Sequence, residues 1–234
     1  MASIHLAEFD GQLLDGLLFC SKVYTLFESV RNSEGGITRL RMRPTRLEKK
    51  LLEELLPVCK YVQASYRPGR YIEVCWIDGN QTYDAEIIQR GSYVSESYYP
   101  ATGYLEVTCV MHPKEYLRRE LLETKGGSFG LEGIRRLKSG EIESIAVGYS
   151  NREYIEVYAK LLLKAISKKA KMPYPKNTTL VVQCTLNTIY MSDEWEALVA
   201  IVREGLPDSS FREIYLYETV CDYSRSLYPQ PKSG

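Results

Sequence analysis

A change in apolar period near residue 70 limits the folds open to this chain more than any other feature. Before it, apolar residues recur at helical spacing. After it, "YIEVCWI", "YDAEIIQ" and "GYLEVTCVM" are short β-prone runs separated by the turn residues "DGNQ" and by a loop containing Gly, Ser, Tyr and Pro. Short connections between three such runs predict a meander, its first two strands forming a hairpin. Two acids, Asp84 and Glu106, lie inside this β-prone stretch, and their placement is the chemical question the sequence raises.

The flanking segments complete the architecture. Leu13, Leu14, Leu17, Leu18, Val23 and Leu26 predict a helix over 9–30, ended by "NSEGG". Thr45 and Glu48 form a capping-box pattern that opens a second helix, which Pro57 bends or splits before "YRPG". After the meander come a helix in "HPKEYLRRELLET", a Gly-rich connector, and a small β excursion in "GIRRLKSGEIESIAVGYS". A long helix over 151–171, a buried strand in "NTTLVVQCTLN", a helix in "SDEWEALVAIVREG" and a last strand in "FREIYLYE" follow. The expected fold class is α/β, a mixed central sheet flanked by helices, in the order helix, three-strand meander, helix, strand, helix, strand. Residues 1–44 form an N-terminal helix and basic connector, 45–223 the core, and 224–234 a loose tail.

Charge and cysteine usage narrow the function classes. Thirty basic and thirty acidic residues cancel, so any polyanion partner must be met by a local patch. Six cysteines stand singly, and the two histidines include only a lone Cys109-x-x-His112 half-site, short of a four-ligand zinc centre. The glycines of "GGSFGLEG" lack a following Gly-Lys-Ser/Thr, which argues against a phosphate loop. No apolar run approaches the roughly 20 residues of a membrane helix, and the N-terminus lacks a signal pattern. The expectation is a cytoplasmic protein without a membrane partner; its oligomeric state stays open, a dimer included.

Alternation along a strand points Glu106 and Thr108 one way and Leu105 and Val107 the other. If the two strands pair antiparallel, Asp84 approaches Glu106, and two carboxylates in a partly dry site repel unless a cation or proton lies between them. Such oxygen donors suit Mg²⁺ or Mn²⁺. The alternative is that both acids lie on the solvated face of a half-exposed sheet.

The ordered elements, with an acid in the second meander strand and "YLEVT" in the third, resemble the PD-(D/E)XK nuclease superfamily, whose core is restriction-endonuclease-like. The resemblance spans about 45–218. "YDAEII", "KEYLRRELL", "AISKKAKMPYPKNTTLVVQ" and "DEWEALV" are also similar to uncharacterised conserved proteins usually attached to that superfamily. It implies a metal-dependent nuclease in which Asp84 and Glu106 are catalytic metal ligands. Thr108 stands where the motif usually has lysine, so the cation comes from elsewhere or the site is silent. In the helix over 151–171, Lys169 falls within the apolar stripe and Lys168 on its flank; Lys169 is the first candidate for a migrated lysine, and a snorkelling stem is the alternative. The superfamily often adds a carboxylate from the first core helix. Of Glu48, Glu53 and Glu54, helical projection favours Glu48, which a simple capping role also explains. Gln183 is a candidate for the lining of the same cavity.

Basic and aromatic residues supply the expected nucleic-acid partner, DNA or RNA. Arg39, Arg41 and Arg43 share one side of an extended segment running to Arg46, and Arg135 and Arg136 form a second basic run. Tyr93, Tyr98, Tyr99 and Tyr104 surround the loop between the acidic strands, where rings can stack on unpaired bases. The second functional reading is a nuclease-fold module without catalysis that binds nucleic acid or a protein.

Overall fold

Asp15 ends one element and begins the next. The computed structural model describes residues 5–148, 150–186 and 191–229, and in it β1 (Leu13–Asp15) runs straight into α1 (Gly16–Arg31). Asp15 Oδ1 accepts the N–H of Leu17 at 2.9 Å, satisfying a donor that a helix start leaves open. The helix expected over 9–30 therefore starts later, after a strand. Gly16 is needed for packing: a Cβ there would lie 2.7 Å from the Ile72 carbonyl oxygen.

Next come α2 (Gly36–Met42) and α3 (Arg46–Lys50), the latter opened by the expected capping box. Thr45 N–H donates to Glu48 Oε2 at 3.1 Å, and Leu47 N–H donates to Thr45 Oγ1 at 3.3 Å. Arg39 and Arg41 lie in α2 and Arg43 caps its end with a left-handed φ of 51°, so the expected extended, one-sided basic strip does not form. A π-turn, Leu51–Leu55, then joins α3 to α4 (Leu56–Ser65). Pro57 lacks an N–H and its ring crowds the preceding turn, which breaks the regular ladder here. Cys109 Sγ approaches the Glu53 carbonyl oxygen, four residues before the proline, at 3.6 Å.

The meander is β2 (Tyr71–Trp76), β3 (Ala85–Arg90), the single turn α5 (Ser92–Ser95) and β4 (Thr102–Val110). It is followed by α6 (Glu115–Lys125), a hairpin of β5 (Ile134–Arg136) and β6 (Ile142–Ser144), and α7 (Asn151–Ala170). The chain ends with β7 (Thr178–Cys184), α8 (Ser192–Glu204), β8 (Glu213–Glu218) and β9 (Ser224–Leu227).

The main sheet has seven strands in the order β1-β2-β3-β4-β7-β8-β9. β4, β7 and β8 are parallel; every other pairing is antiparallel. The protein is thus α/β with a mixed central sheet flanked by helices. Leu105, Val107 and Val181 pack with Phe19, Val23, Val58 and Val62 of α1 and α4. Val110, Leu180 and Val182 pack with Tyr158, Leu162, Ile166 and Leu198 of α7 and α8. Every residue of β7 is buried, as expected for a parallel strand covered on both faces. The β2–β3 wing is covered on one side only: Ile72, Val74 and Trp76 are buried, while Tyr71 and Ile88 are exposed. Among the described residues, no helix is long and apolar enough to cross a membrane.

The segment from residue 224, expected to be loose, instead supplies β9. Leu227 pairs with Ile214 and is buried in the α7/α8 core, because the last parallel strand would otherwise present a bare edge. Leu227→Ala is accordingly expected to cost about 2–4 kcal/mol in urea unfolding. A change within a few tenths of a kcal/mol would show the β9 contact to be dispensable.

Candidate active site

The register of β3 on β4 builds the site. Ala85 pairs with Leu105 and Glu86 with Tyr104, and the ladder ends there; Asp84, expected inside the strand, stands one residue before β3, close enough to Glu106 to feel its charge. The backbone of Asp84 is held from both sides: its N–H donates to the Leu105 carbonyl at 2.8 Å, and its carbonyl accepts from Ile77 N–H at 3.0 Å. The connector before it is stapled by Gln81, whose amide donates to the carbonyls of Ile77 at 2.8 Å and Tyr83 at 2.7 Å. The Asp84 side chain then does what the next strand residue would have done. Its Oδ2 accepts the N–H of Val107 at 2.7 Å, where β3 no longer covers the edge of β4.

Glu106 and the adjacent Leu180 of β7 lie on the α7 side of the sheet. There Lys169, near the end of α7, makes an ion pair with Glu106 Oε1, as the sequence pointed to. Lys168 instead lines a groove of about 560 Å³ with Lys164 and Lys171. Thr108 follows Glu106 on the same strand face.

A third carboxylate joins from the helix layer, and it is Glu54 rather than Glu48. Glu54 accepts from Trp76 Nε1 at 3.3 Å and from Lys50 Nζ at 2.7 Å. Lys50 also reaches Asp78 at 3.4 Å, which Arg46 holds at 2.6 Å. Glu48 is wholly buried, and its carboxylate is engaged by Thr45 and by Arg39 Nε at 2.8 Å. The π-turn explains the exchange. A regular 100° projection fails where the helix carries an extra residue per turn, so Glu54 comes round towards Trp76 and the sheet. The signal available in the sequence was Pro57, three residues further on.

These acids sense one another. Burial raises Asp84 to about 6, and the Glu106 charge adds to the rise; the Val107 bond, Lys169 and Lys50 oppose it. Burial also raises Glu106, with Glu54 adding and Lys169 opposing. Glu54 is raised by burial and then by Asp84, against Lys50. The hydroxyl of Tyr174, just beyond α7, is pushed up by burial and by the charges of Glu106 and Asp84. Three acids facing two lysines leave net negative charge in a half-dry pocket, and their protons are shared properties of the group.

The donors fit a hard divalent cation. Asp84, at the entry to β3, and Glu106, on β4, present carboxylate oxygens, and one or two carboxylates completed by water and phosphate are what Mg²⁺ takes. No larger metal cage is present among the described residues: no three His, Cys, Asp or Glu side chains gather closely enough to hold an ion.

The remaining expected site residues lie elsewhere. Gln183 faces the opposite side of the sheet, with its Oε1 2.8 Å from Cys109 Sγ, beside a cavity of about 330 Å³ lined by Tyr24, Phe27 and Tyr217. All six arginines expected to meet nucleic acid are paired within the chain. Arg39 holds Glu48, Arg41 holds Glu123, Arg43 holds Glu53 and Arg46 holds Asp78. Arg135 holds Glu143 and Arg136 holds Glu120.

No family model, curated protein or solved structure matches this chain.

The raised pKa of Asp84 carries a definite sign. In the fold its proton is held from the ordinary 3.8 up to about 6, so the charged carboxylate reduces stability progressively as pH rises through that window. Asp84→Asn keeps an acceptor for Val107 and is expected to stabilise the metal-free protein by about 2 kcal/mol near pH 7.5, with little effect near pH 4. Denaturant titrations at the two pH values measure this; destabilisation at pH 7.5 would contradict the electrostatic account.

Proposed function

We propose that this chain is a metal-dependent phosphodiesterase acting on nucleic acid, built on a restriction-endonuclease-like core of the PD-(D/E)XK type. The observation that carries the reading is half-buried Asp84, just before β3, sensing the charge of buried Glu106 on β4, with Lys169 on Glu106. Asp84 and Glu106 are the residues that would hold Mg²⁺ or Mn²⁺. When bound, such an ion lowers the pKa of a coordinated water and neutralises charge on the phosphoryl oxygens.

The protein's own groups have separate tasks. Val107 N–H fixes one Asp84 oxygen and leaves the other directed away from the backbone. Lys169 compensates Glu106; with Asp84 and Glu106 holding a divalent ion, the Lys169 ammonium would be available to the phosphate or the attacking water. Its position supports the reading that a helix supplies the cation missing at Thr108. Glu54, raised by burial and by Asp84, is suited to accept a proton, and Lys50 keeps it oriented.

Thr108 favours a second reading, a nuclease-fold module that binds without cleaving. One panel separates the two. Wild-type protein is expected to cleave members of a mixed DNA and RNA set only with Mg²⁺ or Mn²⁺, and Asp84→Asn and Glu106→Gln to lose at least about 100-fold while remaining folded. Lys169→Ala is expected to lower kcat by about 10²–10³-fold. Cleavage retained in both carboxylate variants would reject the site; salt-dependent binding without metal-stimulated cleavage would select the silent module.

A further inference from the structure

Three arginines converge on one tyrosine ring at the end of the sheet from which β4, β7 and β8 begin. The guanidinium carbon of Arg70 lies 3.7 Å from the Tyr99 ring centroid, that of Arg67 5.9 Å and that of Arg212 6.0 Å. None of the three makes an ion pair with a carboxylate among the described residues. The six arginines of α2, its flank, α3 and the β5–β6 hairpin behave otherwise, each paired with a carboxylate.

The cluster is held by backbone geometry. Arg67 and Arg70 face each other across a tight turn, with N–H to carbonyl bonds of 3.1 and 2.8 Å, and Gly69 at its corner takes a φ of +87°. Gly91 fits closely against that turn, since a Cβ there would meet the Gly69 carbonyl oxygen at 2.4 Å. Tyr93 N–H donates to the Gly69 carbonyl at 3.0 Å, and the N–H groups of Tyr98 and Tyr99 donate to the Tyr93 carbonyl at 2.9 and 3.2 Å. Arg212 Nη2 donates to the Tyr98 carbonyl at 2.7 Å, and Arg67 Nη2 to the Tyr99 hydroxyl at 2.8 Å.

Arg70 is buried, with Nε on Gln89 at 2.8 Å and Nη2 on the Tyr61 hydroxyl at 3.0 Å. The negative charge near it, Glu213, is reached only through that hydroxyl, at 3.2 Å, and also accepts from Ser226 at 2.5 Å. Three positive charges thus face one carboxylate at one remove. Packing like charges together costs free energy unless an anion completes the group. The fork geometry of arginine suits phosphate oxygens, and Arg67 and Arg212 are exposed to receive them.

The exposed rings narrow the anion. Tyr98 is 63% and Tyr228 66% exposed; Arg212 bonds the Tyr98 carbonyl, and burial and then the charges of Glu213 and Tyr99 raise the Tyr228 hydroxyl. Free tyrosine faces next to unpaired arginines are what unstacked bases use, whereas a duplex hides its base faces. The cluster also connects to the acidic site. Phe211, next to Arg212, packs on Tyr174 with ring centroids 4.9 Å apart, and the Tyr174 hydroxyl feels the charges of Glu106 and Asp84. Along β4, Thr102 to Glu106 spans roughly 13 Å.

We infer that the Arg67–Arg70–Arg212 cluster around Tyr99 is a phosphate-binding platform for single-stranded nucleic acid, leading the strand past Tyr174 to the acidic group. The path to the acids rests on the phosphodiesterase reading; the binding itself does not. The test is fluorescence anisotropy in EDTA, in the Asp84→Asn background, with a labelled oligothymidylate and a duplex of equal length. The single strand is expected to bind more tightly. Arg67→Gln combined with Arg212→Gln should weaken it at least tenfold and make the log–log salt dependence shallower by about two. Tyr98→Ala should weaken it about five- to tenfold at an unchanged salt slope. Near-ultraviolet circular dichroism checks the fold of each variant. No binding by the unsubstituted platform, an equal preference for duplex, or unchanged affinity in the double variant would overturn the inference. So would competition showing that inorganic phosphate binds while the oligonucleotide does not. Cleavage surviving in Asp84→Asn would sink the acidic-site reading and leave this measurement intact.

Discussion

The structure turns on how β4 is paired. One edge is bonded along its length to parallel β7, while the other is covered by antiparallel β3 only as far as Leu105. Beyond that point an N–H of β4 needs another acceptor, because a strand donor left unpaired in a half-buried place costs about 1–3 kcal/mol. Asp84 supplies it with its side chain, and this forces a carboxylate against Glu106. Apolar layers cover both faces of β4. The unfavourable electrostatics of the pair are therefore a consequence of the sheet, offset by the burial of Leu105, Val107 and Val181 around it.

Charge is distributed in two different ways on this molecule. Around the acids, Lys50 and Lys169 each approach a carboxylate, and one net negative charge remains. Along α2, α3 and the β5–β6 hairpin, arginine and carboxylate are matched one to one, which links elements and leaves little field. Around Tyr99 three guanidinium groups gather with no ion pair to a carboxylate among the described residues. The local fields thus have opposite sign at two places joined by Phe211 and Tyr174. A zero net charge in the sequence conceals this separation.

Helix α3, the π-turn and α4 show how a local irregularity moves chemistry. Regular projection gives Leu47, Leu51, Leu55, Val58 and Val62 a common stripe, and these residues do face the first core. The same projection places Glu48 nearest the stripe and Glu54 away from it. The π-turn before Pro57 changes the phase for the residues within it, so Glu54 meets Trp76 while Glu48 stays with its cap. The cap at Thr45 was legible because it depends on neighbours three residues apart; the destination of Glu54 was not, because it depends on where a distant strand ends.

By itself the sequence determined the α/β class, the three-strand meander with Glu106 in its last strand, the capping box and the long helix that carries Lys169. Each follows from spacing along one segment, where period and cap chemistry act locally. Other features came only from the tertiary structure: a first strand taken from an expected helix, a strand made from an expected tail, Gln183 on the far face, and the sorting of arginines into paired and unpaired. Strand edges and ion pairs are settled between segments far apart in the chain. A guanidinium's partner is whatever carboxylate the fold brings within reach, and no spacing in the sequence records that distance.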